Sequence, residues 1–115
     1  MSRQAVETED APASPSYSQA VVAGNLVFVS GTVGRNMSTG DWPAEIEGQT
    51  EQALKNLEAV LAAAGTDLSH VVKTTVFLTD PSHGARIAEV YARAFPSPPP
   101  ARSAPVVGAF QSRMR

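Results

Sequence analysis

Cysteine is absent from this chain, which excludes disulfides, thiol nucleophiles and thiolate metal sites. Charge is sparse as well: nine basic and eleven acidic residues give a net charge of −2 and a pI near 5.6. No basic stripe is expected, so neither nucleic acid nor a charged membrane surface is expected as a partner. Long apolar runs are missing, and a bilayer span needs about 20 consecutive apolar residues. The opening MSRQAVETEDAPASPS has no apolar stretch of the kind a secretion signal carries. The expected location is therefore cytoplasmic. There is no phosphate loop, dinucleotide fingerprint or nucleophile elbow. The only histidines are His70 and His83, one opening a strand and the other a helix, and no metal site is expected.

What is present is enough apolar material for one domain: 43% of the 115 residues are hydrophobic and 17% are charged. Residues 1–16 read as a loose arm. Val21-Val22-Ala23 and Leu26-Val27-Phe28-Val29 flank Gly24-Asn25, which predicts a hairpin with positive φ at the glycine. The second strand ends at Ser30-Gly31, and an extended segment is expected over 32–36, followed by a turn at Ser38-Thr39-Gly40. From Ile46 to Ala64, apolar residues recur every three or four positions, and Gly65 sits where a helix stops. His70 to Thr79, HVVKTTVFLT, reads as a mostly buried strand. Asp80-Pro81 reads as a cap and first-turn proline. A second helix follows, with Ile87, Ala88, Tyr91, Ala94 and Phe95 as its stripe and Gly84 weakening its start. Pro98-Pro99-Pro100 leads into Ala101-Arg102-Ser103, and a last strand is expected over 103–108, where Pro105 is awkward. Strands alternating with two helices make this an α+β chain, in which a sheet face left uncovered favours self-association.

Four positions stand out chemically. Arg102 follows a stiff proline run, and its planar guanidinium fork suits a carboxylate. The plainer reading is a solvated surface arginine. Tyr17 is placed to cover a ligand or donate a hydrogen bond; a half-buried strand tyrosine is the commoner case. Ser30, with Gly31 beside it, could hold a substrate oxygen or nitrogen, or simply close a local turn. Lys73 and Thr75 share a strand face with Phe77 and argue for little alone.

The order YSQAV, LVFVSGTVG, QTEQALKNLEAVLAAAG, HVVKTTVFLTD, VYARAF and PPPARS, from about residue 8 to residue 104, resembles the reactive intermediate deaminase (RidA, or YjgF) family. The resemblance implies one domain over 1–115 with a chorismate-mutase-like fold, a mixed sheet carrying two helices on one face. It implies a homotrimer with ligand clefts between subunits. It also implies cofactor-free hydrolysis of reactive 2-imino or enamine acids, such as 2-aminoacrylate and 2-iminobutanoate, to 2-keto acids and ammonia. Matched by motif, Arg102 in PARS would be the carboxylate-binding, catalytic residue. Tyr17 in YSQA, with Ser30 and Gly31 in VSG, would bind substrate.

The chain also departs from that pattern. Ala88 stands where many members carry an asparagine, Gly84 replaces a bulky residue, and Ala104 stands where cysteine is frequent. Pro105 is unusual in its strand. The family's glutamate lies in a closing strand beyond FQSRMR, so a shortened form lacking that strand is the expectation. Three rivals follow: a non-catalytic trimeric binder of small carboxylates or 2-keto acids, a ribonuclease, and more distantly a chorismate mutase. The acidic pI weighs against a ribonuclease.

Overall fold

The hairpin forms where the sequence places it. In the computed structural model, which describes residues 2–108, β2 (Ala20–Ala23) and β3 (Leu26–Val29) pair antiparallel, with Ala23 opposite Leu26 across a two-residue turn. Gly24 has φ 62°, the left-handed value that a primed turn needs and a side chain resists. The pleat then sorts the residues. Ala20, Val22, Val27 and Val29 point inward against Val60, Ala59 and Ala64, while Phe28 and Leu26 point out and stay more than half exposed.

Residues 1–16 are not a loose arm. β1 (Arg3–Val6) pairs antiparallel with β2, and Val6 packs beside Ala20. The polar residues that disguise this strand are exposed, because it joins the sheet through its backbone. Residues 8–12 are then tied down by Gln19. Its buried amide accepts from the Thr8 N–H at 2.7 Å and donates to the carbonyls of Thr8, Ala11 and Pro12 at 3.0–3.1 Å.

Helix α1 (Ile46–Ala63) follows the three-to-four-residue periodicity and ends as expected. Gly65 has φ 86°, its N–H meets the Ala62 carbonyl, and the Thr66 N–H returns to the Leu61 carbonyl. The buried face also contains two polar residues. Asn56, 1% exposed, donates to the carbonyls of Val33 and Arg35 at 2.8 and 2.9 Å. Gln49 donates to the Pro43 carbonyl. The Asn56 bonds hold Val33 and Arg35 against the helix, and the expected extended segment over 32–36 forms no regular strand. Gly34 is needed in it: a β-carbon there would lie 2.3 Å from the Gln49 carbonyl oxygen.

The expected strand over 70–79 is shorter and less buried. His70 belongs to a 3-10 turn, Leu68–His70, capped by Asp67, and β4 covers only Lys73–Thr75. Val71, Thr74, Val76 and Leu78 turn inward, but Val72 and Phe77 are exposed. Asp80 caps the next 3-10 turn (Pro81–His83) through the Ser82 N–H, with Pro81 in the first turn, and α2 (Gly84–Ala94) follows. Its stripe includes Val90 along with Ile87, Tyr91 and Phe95. The last strand begins two residues earlier than expected: β5 (Ala101–Ser103) pairs parallel to β4. Pro105 fits because only its carbonyl is used, by the Leu78 N–H.

Three antiparallel strands and one parallel pair thus carry both helices on one side. Val29 touches the cluster of Val6, Ala20 and Val60 and also that of Leu61, Tyr91 and Phe95, making one continuous core. No helix among the described residues is long and apolar enough to cross a membrane. The expected loss of a closing strand concerns residues outside those described.

Candidate functional site

Three of the four singled-out positions converge. Tyr17, Ser30 and Gly31 line one shallow depression together with Pro12, Gln19 and Thr32. At about 40 Å³ it holds a water or so, not a three- or four-carbon acid. Its wall is built by the Gln19 amide, and its floor by the stretch that Asn56 holds to α1. Sequence reasoning passed over both residues, because a binary polar–apolar pattern assigns Gln and Asn to the surface.

Each side chain's bonding limits what it can do. The Ser30 hydroxyl donates to the Ser18 carbonyl at 2.6 Å, and the Ser30 N–H donates to Gln19. Its proton is therefore committed, and its oxygen can only accept from a ligand N–H or O–H. Tyr17 precedes β2 instead of opening it, is 54% exposed, and lines the depression. Gly31 lines the depression, and a β-carbon there would meet nothing within 4 Å.

Arg102 does not line this depression. It lies on β5 opposite Thr74, exposed, with its Cζ 4.7 Å from the Tyr91 ring centroid. Among the described residues no carboxylate reaches it. Arg86, by contrast, is gripped by Glu45 and Glu47, and Arg93 lies near Glu51 and Glu89. The Arg86 hydrogen bond is the main reason the Glu47 carboxyl titrates below its ordinary range.

A serine, a histidine and an aspartate do meet elsewhere, but not as a hydrolytic triad. In Asp67-Ser69-His70 both Ser69 Oγ and Asp67 Oδ1 approach the same ring nitrogen, His70 Nδ1, and Ser69 bonds Asp67 directly. A triad needs the two on opposite nitrogens. This is an exposed helix cap, which also holds the Asp67 carboxyl below its usual range through Ser69. His83 stands at the N-cap position of α2 without a side-chain capping bond, and no group of three metal-ligating side chains occurs among the described residues.

Known proteins match the chain over most of its length. A family profile described as Endoribonuclease L-PSP matches residues 8–115. The chain is 48% identical over 110 residues to the Arabidopsis thaliana protein named Reactive Intermediate Deaminase A, chloroplastic, covering 94% of this chain and 59% of that one. It is 40% identical over 115 residues to the Rattus norvegicus 2-iminobutanoate/2-iminopropanoate deaminase, covering 98% of this chain and 84% of that one. Among solved structures, RidA from an Antarctic Psychrobacter superposes with a TM-score of 0.92 at 39% identity, covering 96% of this chain and 91% of that one.

Proposed function

Since the chain belongs to the Endoribonuclease L-PSP (RidA/YjgF) family, we propose that it is a deaminase that hydrolyses 2-imino and enamine acids to 2-keto acids and ammonia. The observation that carries this reading is the convergence of Tyr17, Ser30 and Gly31 on one depression while Arg102 stands apart, its hydrogen-bonding edges meeting no partner among the described residues. The two halves are complementary to one small molecule. Arg102 grips the carboxylate through two parallel hydrogen bonds. Ser30 Oγ, an acceptor only, takes the N–H of the iminium, and Tyr17 covers the substrate. The carbon between carboxylate and nitrogen is thereby held where water can reach it.

The chemistry balances without a cofactor. Water adds its oxygen to the C=N carbon and loses a proton, giving a tetrahedral carbinolamine. Protonation of its nitrogen lets the C–N bond break, and ammonia leaves as the hydroxyl gives its proton to water and the C=O forms. A protonated imine is already electrophilic, so positioning supplies most of what is needed.

The proposed assembly is a homotrimer in which Arg102 of one copy faces the depression of the next. Leu26, Phe28, Val72 and Phe77 are all more than half exposed. That is more bare apolar surface than a small monomer usually leaves to water. Cytoplasmic residence is part of the proposal, with the dehydratases that release such imines as the upstream activity.

The test is to generate 2-aminoacrylate or 2-iminobutanoate in place with a dehydratase acting on serine or threonine. Faster release of keto acid and ammonia with this protein than without it is the expected result. Binding of 2-oxobutanoate with no acceleration would replace this reading with that of a carboxylate binder.

A further inference from the structure

Among the described residues, the cation of Arg102 has an aromatic ring where Arg86 and Arg93 have carboxylates. The difference matters chemically. A carboxylate partner takes up the in-plane N–H groups of a guanidinium. A ring attracts its flat face and leaves those edges free. The ring in question is fixed on both sides. Tyr91 is 6% exposed, and its ring lies 4.4 Å from that of Phe95 at a 36° tilt. Its hydroxyl is 2.6 Å from Thr74 Oγ1, and Thr74 is the residue opposite Arg102 in the β4–β5 ladder. Strand pairing, the hydroxyl bond and the ring therefore all refer to the same pair of positions.

We propose that Tyr91 is the positioning residue for Arg102: its buried ring, locked by Thr74 and Phe95, holds the guanidinium face-on so that its N–H edges point outward for a carboxylate. This rests on the reading of Arg102 as carboxylate anchor. It adds that a residue in the helix layer, touching no substrate, sets the affinity. Because the ring orients a group that grips substrate and transition state alike, its loss should raise KM and leave kcat nearly unchanged.

The experiment follows the Arg102 Nε–H resonance by NMR in the full chain and titrates 2-oxobutanoate. In the wild type that resonance should be shifted upfield by the ring. Tyr91→Phe keeps the face, so the shift persists and keto-acid binding changes by no more than about twofold. Tyr91→Leu abolishes the shift, weakens binding and raises KM roughly fivefold, as expected for losing a partly exposed cation–ring contact. An unshifted Arg102 resonance in the wild type overturns the proposal even if Tyr91→Leu does not fold. So does a folded Tyr91→Leu with unchanged affinity. A shift that vanishes in Tyr91→Leu, with no variant binding 2-oxobutanoate, supports the orientation and sinks the carboxylate reading beneath it.

Discussion

The depression beside Tyr17 and the strand that carries Arg102 are held in place by different physics. Around the depression, buried amides bond backbone carbonyls: Gln19 fixes residues 8–12, and Asn56 fixes residues 33–35. Ser30 itself is anchored through its hydroxyl to Ser18. Arg102 has no such anchor. It is an exposed cation on a three-residue strand, steadied by the Tyr91 ring. Buried hydrogen bonds are costly to lose, because the partners left behind are stranded away from water. An exposed cation–ring contact is weak, and its loss strands nothing. Substitution of the buried amides should therefore act on stability, and substitution of Arg102 on binding.

The largest effect should come from Gln19→Ala. It would leave the Thr8 N–H and three carbonyls without their present partner, for about 3 kcal/mol of stability at 1–3 kcal/mol per stranded group with partial rescue by water. Urea denaturation measures this. Loss of less than about 1 kcal/mol would mean that residues 8–12 are not held by this amide.

Next comes Arg102→Ala, the opposite case. Its melting temperature should stay near the wild-type value while imine hydrolysis disappears and keto-acid binding weakens by about 1.5–3 kcal/mol. Arg102→Lys should recover little, because an ammonium lacks the planar fork. Hydrolysis by Arg102→Ala at the wild-type rate would remove Arg102 from the site.

Gly31→Val should be milder. The space around the missing β-carbon is open, so the fold should tolerate the change, while added bulk at the lining of the depression should raise KM. Steady-state kinetics and thermal melting on one preparation separate the two effects.

The contrast that these substitutions probe was only half legible in the sequence. The hairpin and α1 were readable, because Gly24-Asn25 and a long three-to-four-residue period are local signals that tertiary packing did not override. The α+β, chorismate-mutase-like fold and the family followed from motif order, and the comparisons bear both out. β1 was hidden because Arg3, Gln4 and Ala5 pair through their backbone and show no buried pattern. The strand over 70–79 was overcounted because β-branched composition says nothing about the Asp67 cap that bends His70 into a turn. Gln19 and Asn56 escaped notice because their burial depends on distant carbonyls.

The smallest expected effect lies away from both regions, where Arg86 joins α2 to Glu45 and Glu47 at the start of α1. The Arg86 hydrogen bond lowers the Glu47 carboxyl below its ordinary value of 4.5. A carboxyl lowered by folding stabilises the fold above its unfolded value, and that contribution fades as pH falls through the folded value. Arg86→Ala should therefore melt slightly below wild type at pH 7, with the gap closing as the pH falls below the ordinary carboxyl value of 4.5 and through the lowered folded value. A gap that is independent of pH would assign the effect to packing.

The central claim is that one site is built from the Tyr17 depression of one copy and Arg102 of another. Mixing two inactive variants tests it most directly. Arg102→Ala and Tyr17→Ala, unfolded together and refolded as one pool, should regain imine hydrolysis at about a quarter of the wild-type rate, since random assembly pairs an intact Arg102 with an intact depression at one interface in four. A mixture that forms hybrid oligomers yet stays as inactive as its parents would contradict a shared site.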